Sequence, residues 1–270
     1  SSFAVFCAFL LTSSSTIYTG DSGQVAAAAA TLGISHPPGY PLYSLFGKVF
    51  SILPAGDIAF RLNIMSAFFM SLFVALFFLA ARYTAIRFNC ASKQASGAAA
   101  LVVAVFTALS PLFWQQAVHA KGGIYAMQAC VFVLGAYFAI RYYFERKRRQ
   151  MLVSAYIAGF MPVFHHTLIL ASSFIMVVLL LAAAQKGERR IFIPAMFLFF
   201  VGFISPNFYL MIRSGTAHLR WADISGASDV FRHITRQVYF TPDSPPPDAA
   251  SILFKIKTHY FSVLRAYHIL

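Results

Sequence analysis

Charge is what this 270-residue chain has least of. Only 11% of its residues are charged and only 8 are acidic, while 59% are hydrophobic. A soluble domain of this size cannot hide that much apolar surface; lipid can. Cysteine is scarce too. Cys7, Cys90 and Cys130 fall in or beside apolar segments without metal spacing, which excludes a disulfide framework and reads as packing. Nothing resembles a Walker phosphate loop, a dinucleotide fingerprint, a zinc spacing or a serine-hydrolase elbow. An initiator Met is missing and the chain opens inside an apolar run, so trimming at the front is expected. Residues 3–11 read as the outer end of a first helix, not a signal peptide, because no basic leader or small-residue cleavage site precedes them.

What is present is a series of apolar runs at 62–81, 98–113, 124–140, 151–164, 167–184 and 191–212. Several approach or reach the roughly 20 residues that a spanning helix needs. They are continuous, not alternating, so they are helices and not barrel strands. With the first segment they make about seven spans, and the fold class is an all-α polytopic membrane protein. The weak member is 151–164, short for a full crossing. Thirty Phe and 13 Tyr suit lipid-facing and interfacial positions.

The chain carries 21 basic residues and a formal charge of +13. In a soluble protein that balance would suggest nucleic acid; here topology accounts for much of it, and no nucleic-acid partner is expected. Three short connectors hold Arg82, Arg87, Lys93, Arg141, Arg146, Lys147, Arg148, Arg149, Lys186, Arg189 and Arg190 against Glu145 and Glu188. Such an excess in short loops marks the cytoplasmic side. By parity, the long 12–60 loop, the 114–125 stretch, His165-His166 and 213–239 share the other side. Two regions follow: a membrane core at 1–212, containing that first outer loop, and 213–270, an outer-face loop with an interfacial helix at 251–270. The proline-rich 241–247 reads as extended, and a truncated C-terminus is expected.

The unusual residues therefore meet at one face. Asp21-Ser-Gly-Gln24 matches a helix capping box, so Asp21 fits an N-cap; it also fits a general base on an attacking hydroxyl. A helix is expected from there to Leu32, stopped by Gly33 and by Pro37-Pro38. His36-Pro-Pro-Gly-Tyr40 is a rigid turn whose histidine is also a possible phosphate contact. A second short helix at 41–53 should lie along the surface. Gln115, Gln116, His119 and Lys121 fit an interface belt with a snorkelling lysine, or contacts to a substrate head group. Gly122-Gly123 would then let backbone approach it closely. His165 and His166 point differently on a helix, which argues against one shared metal; a histidine at the membrane edge is still a functional candidate. Arg213, Arg220, Arg232, His233 and Arg236 form a solvated basic loop or pair with phosphate, and Trp221 and Asp223 sit among them. A carboxylate, several cations and membrane-level access suit transfer from a lipid-linked phosphate donor. Those cations would stabilise the charge on the leaving phosphate.

The ordered motifs Thr19-Gly-Asp-Ser-Gly-Gln, Gly33-Ile-Ser-His-Pro-Pro-Gly-Tyr-Pro-Leu, Arg61-Leu-Asn, Phe113-Trp114-Gln, Ile124-Tyr125-Ala, His165-His166-Thr and Arg220-Trp-Ala-Asp resemble a membrane family long described as of unknown function. That family includes the animal O-mannosyltransferase of plexin-type receptors, and the resemblance spans nearly the whole chain. It implies a GT-C-like glycosyltransferase that takes a mannose-like sugar from a polyprenyl-phosphate donor at the lumenal or periplasmic face. The acceptor would be a hydroxyl, Ser or Thr of an exported protein. Asp21 would be the base. His36, Tyr40, Gln116, Lys121, Tyr125, His165, His166, Arg213, Arg220 and Trp221 would bind donor phosphate or substrate. No metal is required, and a role for a divalent ion stays open. Two departures stand out: the family often has Glu where this chain has Gln24, and an acid where it has Lys121-Gly-Gly.

The expected setting is a bacterial inner membrane or the endoplasmic reticulum; the lack of any Asn-x-Ser/Thr acceptor is compatible with the former. The rivals are a transporter or flippase for a lipid-linked substrate, which would show internal repeats or broken spans in matching halves, and a non-catalytic membrane scaffold. The topology makes a direct prediction. After removal of the native cysteines, single cysteines beside Asp21 and beside His165 should react with a membrane-impermeant thiol reagent from the same side. Reaction from opposite sides would leave no common pocket.

Overall fold

The structure is a computed structural model that describes residues 2–165 and 168–239. The expected role of His166, the extended 241–247 segment and the helix at 251–270 fall outside the described residues. The chain divides into two compact units, Ser1–Thr235 and Arg236–Leu270. Of the second, residues 236–239 are described: a 3-10 turn over Gln237–Tyr239, with the Arg236 guanidinium 5.1 Å from the Tyr239 ring centre.

The first unit is helical. In order it holds α1 (Ser2–Thr12), α2 (Ser22–Thr31), α3 (Pro41–Ser51), α4 (Ile58–Arg87), α5 (Lys93–Leu109), α6 (Pro111–Ala117), α7 (Gly122–Glu145), α8 (Arg148–Phe164), α9 (Leu168–Ala184), α10 (Phe192–Ser214) and α11 (Ala227–Ile234). Among the described residues, three helical stretches are long and apolar enough to cross a membrane: α4, α7 and Arg189–Ser214, which is α10 with the 3-10 turn before it. A fourth crossing is reached if α5 and α6 count as one span bent by 64°. The expected seven spans are thus met only in part, because α1 and α9 are shorter apolar helices of 11 and 17 residues.

Local chemistry explains the ends. Asp57 accepts the Phe60 amide at 2.8 Å and starts α4. The α5–α6 break falls at Ser110-Pro111. A residue before proline is pushed out of the helical region, and Ser110 is extended at φ −61°, ψ 131°. The 98–113 run is therefore two helices. At the end of α2 it is Leu32, not Gly33, that takes the left-handed conformation, with φ 51°. Within the polar stretch after α10, α11 forms where a loop was expected. Its Val230, Phe231 and Ile234 turn toward Phe203 and Asn207 of α10 and line a cavity of about 710 Å³.

The bundle centres on α4, α7, α8 and α10. Where α8 meets α10 the backbones nearly touch. A Cβ added at Gly159 would lie 2.1 Å from the Phe199 carbonyl oxygen, and one at Gly202 would lie 2.3 Å from that of Tyr156. Close small-residue contact is how helices associate in lipid, where the hydrophobic effect gives no drive. The basic connectors collect at one end of the bundle. There Glu145 accepts from Arg141 at 2.9 Å, Tyr83 at 2.9 Å and Gln150 at 2.6 Å, and Lys147 approaches at 3.3 Å. The other end holds the Asp21 loop. The 24 residues of α7 separate the two ends by about 36 Å. Gly202→Ala should part α8 from α10 and cost roughly 1–3 kcal/mol, read as a lower melting temperature in detergent.

Candidate functional site

The site grows from the start of α2. Asp21 occupies the N-cap position, yet its side chain makes no capping bond. The capping box does not form, and the carboxylate is left for long-range use. Gln24, one turn along the same face, turns away from the cap as well. Its Oε1 accepts from Ser35 at 2.9 Å and lies 2.7 Å from His36 Nδ1. An amide oxygen only accepts, so Nδ1 carries the proton. That leaves His36 Nε2 facing Asp21 Oδ2 at 4.0 Å. The Lys121 ammonium donates to the same Oδ2. Asp21 remains about half exposed, at 49%, while His36 is largely covered at 11%.

The turn that carries His36 forms as expected, with the Gly39 amide on the His36 carbonyl at 2.8 Å; the Pro37-Pro38 peptide is cis. Tyr40 ends the turn at φ 46°, which is uncommon for a bulky side chain. Its ring meets that of His36 edge-on at 5.3 Å. From the far end of the unit, Trp221 reaches His36 at 6.0 Å. It is held there by backbone pairing: Ile34 N–H to the Leu219 carbonyl at 2.9 Å, and Trp221 N–H to the Ile34 carbonyl at 3.0 Å. His233 adds a contact at 3.2 Å to the Ser35 carbonyl.

Lys121 is positioned by the loop before α7. The Ala120 carbonyl accepts the Tyr43 hydroxyl at 2.9 Å and the Ser66 hydroxyl at 3.3 Å, tying the loop to α3 and α4. His119 Nδ1 accepts the Gly122 amide at 3.2 Å, and the ring stacks on Tyr18 at 4.9 Å. The close approach foreseen at Gly122-Gly123 is used internally. Cβ atoms there would meet the Gln116 carbonyl oxygen at 1.8 Å and Ser66 Oγ at 2.9 Å.

The remaining candidates divide. Gln116 and Tyr125 line a second cavity, of about 420 Å³, among Met70, Phe132 and Leu168. His165 adjoins this group, its ring 6.2 Å from Tyr125. The Gln116 and Gln128 amide oxygens are buried there and find no hydrogen-bond partner among the described residues. Tyr125, Gln128 and Phe132 follow helical spacing on α7 and line the cavity, and Lys121, just before the helix, continues that spacing toward Asp21. Arg213 instead donates to the Leu32 carbonyl at 2.8 Å and to Thr216 at 3.1 Å, closing the carbonyl end of α2. Arg220 donates to the Ser214 carbonyl at 3.0 Å and pairs with Asp223 at 2.7 Å. Both arginines brace the site from outside. Among the described residues, no three His, Cys, Asp or Glu side chains gather as metal ligands.

Known proteins bear on this arrangement. The family described as "Protein O-mannosyl-transferase TMEM260 N-terminal domain" matches residues 21–188. A relative from Mus musculus, "Protein O-mannosyl-transferase TMEM260", is 28% identical over 248 residues, covering 88% of this chain and 33% of that protein. A Dictyostelium discoideum protein of the same name is 27% identical over 136 residues, 48% of this chain and 15% of its own length. The chain thus spans a third or less of the curated relatives it matches. No solved structure matches.

Burial lowers the pKa of both His119 and His233, helped by nearby Lys121 and His36 respectively. Unfolding lets each take up a proton near the ordinary value of about 6.5. Their contribution to stability is therefore complete above that pH and is lost as pH falls from there through the lowered folded values. Melting temperature should drop between pH 7.5 and 5. His119→Asn, which keeps an acceptor near the Nδ1 position but does not titrate, should shrink the drop.

Proposed function

The chain belongs to the protein O-mannosyl-transferase TMEM260 N-terminal domain family, and from that premise we propose that it carries the sugar-transfer centre of a GT-C-type mannosyltransferase. The observation that carries this reading is the Asp21 carboxylate. It is half exposed and faced by Lys121 and His36, and Lys121 stands just before α7, four positions ahead of Tyr125 in the wall of an apolar cavity.

The donor is a polyprenyl-phosphate sugar. Its tail occupies the apolar cavity beside Tyr125 and Phe132, and its phosphate meets Lys121 Nζ, with His36 Nε2 as a second cationic contact once protonated. An acceptor hydroxyl, from Ser or Thr of an exported protein, attacks the anomeric carbon. Its proton passes to an Asp21 oxygen. The carbon–oxygen bond to the phosphate breaks, and the electron pair leaves on a phosphate whose charge the cations stabilise. Tyr40 and Trp221 wall the sugar pocket, Gln116 and His165 face its lower part, and no metal is needed for these steps. The site lies on the lumenal or periplasmic side of an inner or endoplasmic reticulum membrane. The shorter helices complete the seven crossings together with neighbouring structure.

The test is mannose transfer from a polyprenyl-phosphate donor to a Ser/Thr peptide by the purified full-length protein in lipid. Asp21→Asn should lower turnover by roughly 10²–10⁴-fold with little change in donor binding, whereas Lys121→Ala should weaken donor binding. Unimpaired turnover in Asp21→Asn would remove the base assignment.

A further inference from the structure

The end of the bundle away from Asp21 holds two cavities that share one residue. The first, of about 370 Å³, is lined by Arg146, Arg148, Glu188 and Arg190. The second, of about 470 Å³, runs along α8 past Arg148, Arg149, Leu152, Val153 and Tyr156 to Leu198 of α10. Arg148 belongs to both. We propose that this pair of cavities is a binding site for an anionic phospholipid, with the head-group phosphate in the basic cavity and an acyl chain in the groove between α8 and α10.

The charge count favours an anion. The one carboxylate lining the basic cavity, Glu188, already accepts the Tyr142 hydroxyl at 2.7 Å. Arg146 is fixed at the rim, donating to the Ala182 carbonyl at 3.1 Å and lying over the Tyr143 ring at 5.2 Å. Among the described residues, Arg148 and Arg190 make no ion pair, although both are exposed. Glu145, the other acid at this end, is engaged by Arg141 and Lys147. A basic pocket between helices where they leave the membrane is the usual setting for lipid phosphate. The groove supplies what a free anion would not need. Residues 148, 152 and 156 lie on one face of α8 and span about 12 Å, so an acyl chain can follow directly from the head group. Nothing in the proposed transfer reaction uses this end of the molecule.

Native mass spectrometry of the full chain, with phosphatidylglycerol or phosphatidylcholine added, tests the proposal. Phosphatidylglycerol should be retained preferentially. Arg148→Ala and Arg190→Ala should each weaken it by about 5-fold, with Arg148→Lys retaining most of the affinity. Leu152→Trp fills the groove and should weaken phosphatidylglycerol while leaving inorganic phosphate binding unchanged. Arg189→Ala, outside both cavities, is the control for general surface charge. Equal retention of the two lipids, an equal loss in Arg189→Ala, or indifference of phosphatidylglycerol to Leu152→Trp would each overturn the assignment. Size-exclusion profiles and melting temperatures of the variants separate lost binding from lost folding.

Discussion

The ion pair between Asp21 and Lys121 joins two stretches a hundred positions apart in the chain. It closes the α2 entry onto the start of α7. Two anchors make it possible. On one side the Asp21 side chain makes no capping bond to its own helix and pairs with Lys121 instead. On the other, Tyr43 and Ser66 converge on the Ala120 carbonyl and hold the neighbouring lysine in place. The Tyr43 side chain is fully buried, and a buried donor left without an acceptor costs roughly 1–3 kcal/mol. The loop is therefore set by burial of a hydroxyl and not by the exposed ion pair, which by itself contributes little.

The same economy of polar groups organises the whole unit. In a chain this apolar, each ionisable side chain away from water needs a partner. At one end Glu145 gathers arginine, lysine, tyrosine and glutamine. At the other the Asp21 carboxylate is half open to solvent between a lysine and a histidine. The first arrangement is saturated and structural. The second is half exposed, as the proposed chemistry on an incoming hydroxyl requires. Arg213 and Arg220 belong with the saturated kind, since carbonyls and Asp223 take up their guanidinium groups. Their contribution is to hold the end of α2 and the Leu219–Trp221 segment beside His36.

How much of this could be read from the chain follows the range of each interaction. The apolar runs gave the helices α4, α7 and α10 because their signal is local and long. The His36 turn was legible from two prolines and a glycine. The break at Ser110-Pro111 was visible too, though hydrophobicity alone passed over it. Gln24 offered a signal in its spacing from Asp21, but the same spacing serves a capping box, and only the distant Ser35-His36 contact decides between them. Lys121 against Asp21, and His233 against Ser35, join residues 100 and 198 positions apart; no periodicity encodes such pairs. The α11 helix was hidden by the polar composition around it, since its apolar face exists only against α10.

The two departures from the family resemblance fall in the site itself, and they act in the same direction. Where the resemblance leads one to expect Glu, Gln24 gives His36 a neutral acceptor, so nothing at Nδ1 competes with Asp21 for a protonated imidazole. Where it leads one to expect an acid, Lys121 places a cation on the Asp21 carboxylate. Both exchanges make the pocket less negative. A second carboxylate at either position would repel a phosphate close to the reacting centre, at a distance where screening by salt is weak. With one carboxylate, one lysine and one histidine, the pocket can admit an anion without first neutralising itself. In the proposed reaction the cost falls on Asp21, which would have to release Lys121 to the phosphate before taking a proton. Donor entry and activation of the base would then be a single event in the proposed transfer, because an incoming phosphate would draw away the cation paired with the carboxylate.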